Sequence, residues 1–287
     1  MTGDLGFGVL NQYRERFPDQ FYNVGVAEQN MAGVAAGLAM TGHIVFTYSI
    51  ANFPILRCLE QVRNDICYHE ADVKIVSVGG GMAYGALGPS HHATEDLAIC
   101  RALPGLAVIA PADPVEVEEL VPQIVSRPGP VYLRLGRAGE PRIHARDAHI
   151  EFGRPTLVRE GEDVLLLSTG GILAEVVRSA DELLNEGISA AVTSVHTLAP
   201  FDSAGLCETA ARFPLVVACE EHTIVGGLGG AVAEVLMEAG IETVFRRFGL
   251  RNTFPEGVGS HEYLRQANGV DADSLSHLVR SLLIEPA

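Results

Sequence analysis

The chain has 287 residues, 47% of them hydrophobic, enough to bury a core in each of about two domains. Its 36 acidic and 20 basic residues leave a formal charge of −16, a field that repels nucleic-acid phosphates and anionic lipid, so neither is an expected partner. Five cysteines without a CxxC pair argue against a disulfide framework or zinc site and fit a reducing cytoplasm, while no apolar run reaches the ~20 residues of a membrane helix and the start "MTGDLGFGVL" has no signal-peptide pattern.

In chain order, apolar runs at 21–26 ("FYNVGV"), 43–48 ("HIVFTY"), 73–78 ("VKIVSV"), 106–111 ("LAVIAP") and 131–135 ("VYLRL") predict strands. Periodic segments at Ala51–His69 and Pro114–Ser126 predict helices between them. Near-continuous apolar strands alternating with helices imply a parallel sheet covered on both faces. The stretch "GRAGEPRIHARDAHIEFGRP" (136–155) loses periodicity and gains Gly, Pro and charge, the mark of a linker. Strands at 163–169, 188–194, 215–219 and 242–248 then alternate with helices near 172–186, 229–239 and 273–284. The expected fold is α/β with two domains, each a mostly parallel sheet flanked by helices: residues 1–137, a linker at 138–155, and residues 156–287.

Glu28 opens a helix of small residues, "EQNMAGVAAGLAM", directly after the first predicted strand. Carboxylates suit a first helical turn in any protein. Open α/β sheets, however, bind ligands at the carboxyl ends of their strands, and an acid buried there resists ionisation and can share a proton with a ring nitrogen. Phe53 lies in an apolar stretch and reads by itself as core. Adjacent His91 and His92 read by themselves as a loop pair, unsuited to converging on one metal. The glycine-rich "EEHTIVGGLGGAV" (220–232) fails the dinucleotide pattern, because Val232 takes its last Gly position. It is read as a tight turn for helix–sheet packing.

The wording "VGVAEQNMAGVAAGLA" resembles the pyrimidine-binding domain of transketolases and 1-deoxyxylulose-phosphate synthases. "LEQVRND" (59–65), "GPSHHATEDLA" (88–98), "RALPGLAVIAPADPVE" (101–116), "PVYLRLGR" (130–137) and "CEEHTIVGGLGGAVAEVL" (219–236) continue that resemblance in the family's order. Nearly the whole chain is thereby similar to the C-terminal half of a transketolase, a pyrimidine-binding domain plus a C-terminal domain. The resemblance implies thiamine diphosphate as cofactor. Its Mg2+ or Ca2+ and its diphosphate would be held by a separate N-terminal-type subunit, in an α2β2 assembly that contains a self-dimer of this chain. The tripeptide "GDL" (3–5) mimics the family's metal motif without an acidic cluster around it and is read as a decoy.

Residue by residue, the resemblance makes Glu28 the acid on the aminopyrimidine ring nitrogen. From there, protonation lets the exocyclic nitrogen remove the thiazolium proton and create the nucleophilic ylide. It makes Asp4 an acid near the cofactor, Phe53 the ring that stacks on the pyrimidine, and Ile50 the neighbour at a usually aromatic position. His91 matches a histidine that bonds substrate and shuttles protons at the carbonyl. His92 stands where Gln is usual. Arg137, or Arg134 in its place, would grip an acceptor phosphate. Glu95 and Asp96 would cap the helix that follows them.

Two positions depart from the family pattern. Leu87 replaces an acid that bonds a substrate hydroxyl, and Gly79 replaces a phosphate-binding His. Transfer of a two-carbon ketol or an acyl unit is expected, with substrate choice relaxed or redirected from ordinary pentose and hexose phosphates toward another ketose or 2-oxoacid. Two alternatives stand beside it: the beta subunit of a 2-oxoacid dehydrogenase, and a non-catalytic scaffold partner.

Overall fold

The computed structural model describes residues 1–284. Its first half carries β1 (Val45–Ile50), β2 (Val73–Val78), β3 (Ala107–Ile109) and β4 (Val131–Leu135), with helices α1 (Asn11–Arg16), α2 (Glu28–Met40), α3 (Leu59–Gln61), α4 (Asp96–Arg101) and α5 (Pro114–Ser126). The second half carries β5 (Thr156–Arg159), β6 (Val164–Thr169), β7 (Ala190–Ser194), β8 (Thr197–Ala199), β9 (Leu215–Thr223) and β10 (Val244–Leu250). Its helices are α6 (Leu173–Asn185), α7 (Ser203–Ala210), α8 (Leu228–Glu238), α9 (His261–Ala267) and α10 (Ala272–Ile284).

Two five-stranded sheets result, ordered β1-β2-β4-β3-β8 and β10-β9-β6-β7-β5. Each is parallel apart from one antiparallel edge strand, β8 in the first and β5 in the second. The central strands β2, β4, β6, β7 and β9 are almost wholly buried, as continuous apolar runs between two helical layers must be. The expected α/β architecture of two helix-flanked, mostly parallel sheets is therefore present. Among the described residues no helix is long and apolar enough to cross a membrane, and all five cysteines are free.

The halves are joined by more than a peptide. Strand β8 comes from the second half yet pairs with β3 of the first. One hydrophobic cluster contains Ala35, Val73 and Val108 together with Leu165, Val216 and Leu228. The 138–155 stretch runs along α5: Gln123 donates to Ile150 O at 2.8 Å and accepts from Phe152 N at 2.8 Å, and Ile150 is buried beside Leu120 and Ile124.

A buried polar knot fixes that stretch. Asp113 caps α5 through Glu116 N and also accepts from Ile143 N and His144 N at 2.7 and 2.8 Å. The His144 ring lies 3.3 Å from Asp113 Oδ2 and 3.4 Å from Glu116 Oε1. Burial works against the His144 charge, but the two carboxylates outweigh it and raise its pKa. Across from it, burial pushes the His196 ring down to about 4. A histidine raised in the folded state stabilises fully below its unfolded pKa of ~6.5, and that contribution disappears as pH climbs through the folded value. Thermal melts of the wild type and His144→Gln are thus expected to differ most below pH ~6.5 and to converge in mild alkali. Parallel melting curves across that window would contradict the assignment.

Candidate active site

The carboxyl ends of β1 and β2 face a group of loops that gathers most of the expected site residues. Helix α2 begins at Glu28 with no side-chain cap and buries Glu28, Met31, Ala32, Ala35 and Ala36, one stripe at helical spacing. The small residues let α2 lie close on β1, while Gly33 and Gly37 face open space. Glu28 is 2% exposed. Behind it a cavity of about 10 Å³, lined by Thr47, Pro54, Val62 and Ile75, leaves no room for a six-membered ring, so any ring must approach from the loop side.

On the loop side stands Arg57. Its Nη1 donates to Glu28 Oε2 at 2.7 Å while the side chain stays 45% exposed. The guanidinium also lies over the Phe53 ring, 4.7 Å from its centroid, and Phe53 meets His91 edge-on at 5.2 Å. A contiguous line thus runs Glu28–Arg57–Phe53–His91. The sequence assigned roles to Glu28, Phe53 and His91 but none to Arg57, four residues beyond Phe53. Glu28 is thus also one half of an ion pair.

Backbone and side-chain bonds place the line. Ile50 ends β1, and Phe53 N donates to its carbonyl at 2.9 Å. Asn52 Nδ2 donates to Ser90 O at 3.2 Å, tying the Phe53 loop to the His91 loop. Asp4 exchanges bonds with Asn23, N to Oδ1 at 2.9 Å and Oδ1 from Nδ2 at 3.0 Å. The adjoining Gly3 packs on Glu28, since a Cβ there would sit 3.6 Å from Glu28 Cγ. Asp4 is thereby held near the acid at one end of the line, as Ile50 is near Phe53.

The remaining expected residues lie apart from this line. His92 is 2% exposed, and burial lowers its pKa, which favours a neutral ring. Arg137 is exposed just beyond β4, with no ion pair among the described residues. Arg134, its alternative, is buried and committed: it pairs with Asp96 at 3.0 Å and donates to Ala93 O and Glu221 O. Asp96, expected as a cap, accepts instead from Tyr132 Oη at 2.6 Å. Gly79 adopts φ +91°, and a Cβ there would fall 2.1 Å from Tyr84 Cε2, so Tyr84 occupies the space a side chain would need. Leu87 is exposed beside the His91 loop. Among the described residues no cluster of His, Cys, Asp and Glu is arranged to hold a metal ion.

The geometry offers a water-shielded acid, a half-exposed guanidinium, an aromatic face and a half-buried imidazole in one line, a set suited to a flat heteroaromatic ring and a polar carbonyl. Comparison with known proteins agrees with the fold. Residues 1–140 match the family model described as transketolase, pyrimidine binding domain, and residues 153–275 the one described as transketolase, C-terminal domain. The chain is 38% identical over 266 residues to the 6-deoxy-6-sulfo-D-fructose transketolase subunit SqwH of Clostridium sp. (strain MSTE9), across 93% of this chain and 82% of that one. It is 35% identical over 268 residues to an apulose-4-phosphate transketolase subunit of Actinobacillus succinogenes, across 93% and 86%. A solved split gene transketolase, described as an inactive beta4 tetramer, is similar with TM-score 0.88 and 38% identity over 98% of this chain and 90% of that chain.

Proposed function

The chain belongs to the transketolase family, and from that premise we propose that it is one subunit of a split transketolase-like enzyme, transferring a two-carbon ketol or acyl unit with thiamine diphosphate. In this reading a partner subunit of the N-terminal type carries the diphosphate and the Mg2+ or Ca2+, and two copies of each chain make a cytoplasmic α2β2 enzyme. The observation that carries the reading is the buried Glu28 carboxyl at the head of the Arg57–Phe53–His91 line. Two relatives whose names call them transketolase subunits, and a beta4 tetramer described as inactive, support a site that needs a second kind of chain.

The residues present fit an aminopyrimidine: an acid shielded from water for a ring nitrogen, and a phenyl face for the ring. Thiamine diphosphate, when bound, supplies the nucleophilic carbon that breaks and remakes a bond beside a carbonyl. Glu28 holds a proton at the pyrimidine ring nitrogen. Arg57, half-exposed, would hold the other side of the same carboxyl through Oε2. Phe53 supplies the stacking face, with Ile50 beside it and Asp4 toward the Glu28 end of the line. His91, half-buried and in contact with Phe53, holds and moves a proton at the substrate oxygen. Arg137 offers an exposed guanidinium to an anionic substrate group.

Substrate choice follows from what the site lacks. Tyr84 in the space beside Gly79, and apolar Leu87 by the His91 loop, leave fewer polar partners for a sugar phosphate. The relatives named for 6-deoxy-6-sulfo-D-fructose and apulose 4-phosphate fit a site directed to less common ketoses. The test is turnover by this chain mixed with a diphosphate-binding subunit, on a panel of ketose donors and 2-oxoacids, with and without thiamine diphosphate. Expected are transfer that stops when thiamine diphosphate or either subunit is left out, and slow use of xylulose 5-phosphate with ribose 5-phosphate. Transfer that persists without thiamine diphosphate would refute the cofactor, and rates on the pentose pair typical of transketolases would refute the altered specificity.

A further inference from the structure

The seam between the two halves holds a carboxylate that the Glu28–His91 line does not use. Strand β4 ends at Leu135, and Gly136 and Arg137 then leave the sheet at the carboxyl ends of the strands, the side on which such sheets bind ligands. Ile50, Val78 and Leu135 share one row across β1, β2 and β4, so Leu135 stands two strand spacings, about 10 Å, from the end of β1 that leads to Phe53. Arg137 is exposed, so its backbone decides where the guanidinium is presented. That backbone is held by Glu140. The chain turns back at Gly139, φ +97°, and sets the Glu140 carboxylate on Gly136, where a Cβ would overlap it. The same carboxylate lies against Gly171 of the second half, where a Cβ would fall 2.5 Å from Oε1. The Arg137 N–H faces it, Arg265 and His261 attract it from the second half, and Glu221 repels it. Burial pushes the Glu140 pKa up to about 6, which still leaves the group ionised at neutral pH. Beside it a cavity of about 10 Å³, lined by Arg134, Glu221 and His261, has room for about one water and for no larger ligand, so Glu140 itself fills the slot.

We propose that Glu140 is a positioning residue for Arg137: wedged between Gly136 and Gly171, its carboxylate holds the Arg137 backbone to the second half and so fixes where the guanidinium meets an anionic group at the far end of the ketose. Resting on the role proposed above for Arg137, Glu140 gives the second half a part in substrate choice, although that half supplies none of the Glu28–Arg57–Phe53–His91 line. Gly136 and Gly171 are glycines for the same reason, since a side chain at either would push the carboxylate out of the slot.

Two measurements test the role. In the 287-residue chain, amide exchange at Arg137 is compared between the wild type, Glu140→Ala and Glu140→Gln. In the assembled two-subunit enzyme, KM and kcat are measured with xylulose 5-phosphate and with xylulose, one ketose with and without its anionic group. Glu140→Ala is expected to speed Arg137 exchange by ~10-fold and to raise KM for the phosphorylated ketose by ~10-fold, with kcat and the KM for xylulose little changed. Glu140→Gln keeps an acceptor for the Arg137 N–H and is expected to stay close to the wild type in both. Unchanged exchange in Glu140→Ala, or an equal rise in KM for the two ketoses, would overturn the positioning role. Arg137→Ala separates that failure from failure of the role proposed for Arg137. If it leaves KM for the phosphorylated ketose unchanged, Arg137 grips no anion and the proposal falls with it, even where Glu140→Ala speeds the exchange.

Discussion

Glu28→Gln in the assembled two-subunit enzyme is expected to lower kcat by ~10²–10⁴-fold, the range that a positioned acid–base group supplies. Gln keeps the shape and still accepts from Arg57, but it has no proton to hold at a ring nitrogen. KM for the ketose is expected to change little, because no described substrate contact passes through Glu28. The variant remains folded: its partner Arg57 is 45% exposed and rehydrates readily, so the melting temperature moves by only a few degrees. Arg57→Met serves as the complementary variant. It removes the guanidinium beside the carboxyl and leaves the acid, so it is expected to retain far more activity than Glu28→Gln. Full activity in Glu28→Gln would turn the reading toward a scaffold whose partner does the chemistry.

The parts of this site that the sequence disclosed, and those it hid, differ in a physical way. Strands buried on both faces announce themselves as unbroken apolar runs, and β2 and β4 occupy the expected residues 73–78 and 131–135. Helix α5 also occupies its expected span, set by Asp113 at its cap and an amphipathic repeat. The run 21–26 reads as a strand, and among the described residues it forms a bridge at Asn23, to Thr2. Strands β5 and β8 escaped notice because they are short antiparallel edges, and β8 finds its partner in the other sheet, a pairing that no local pattern encodes. The segment from Ala51 reads as one helix, yet turns occupy 51–58, where Pro54 offers no N–H and Asn52 bonds Ser90. That irregular turn is what brings Phe53 and Arg57 to the site. Glu28 and Phe53 were legible through family wording, whereas the Arg57–Glu28 pair joins residues 29 apart and leaves no periodic trace.

One buried carboxylate also ties the two halves together. Glu221 lies near the carboxyl end of the wholly buried β9, and its Oε1 accepts from Met82 N at 2.6 Å, across to the loop that follows β2. His261 Nε2 lies 2.7 Å from the same oxygen, and Arg265 Nε donates to Oε2 at 2.6 Å. Gly81 is glycine for this reason: at φ +64° a Cβ would fall 2.4 Å from Glu221 Oε1. Burial alone would raise the Glu221 pKa, but Arg265 and His261 outweigh it and hold the carboxyl well below the usual range. Glu221→Ala leaves the Met82 N–H and Arg265 Nε without their acceptor, while Arg265 keeps Gly171 O at 3.2 Å and Glu175 at 3.7 Å, and is expected to cost ~1–3 kcal/mol, a fall in melting temperature of ~2–10 °C. Glu221→Gln keeps an acceptor for Met82 N and should lose less. The pH dependence gives a second reading: a carboxylate depressed on folding stabilises above its unfolded pKa of ~4.3, and loses that contribution as pH falls through the folded value. Melts between pH ~7 and ~3 should therefore drop more steeply for the wild type than for Glu221→Gln. Equal slopes would show that the halves are held by the apolar cluster around Ala35 and Val216 and that this ion pair contributes little.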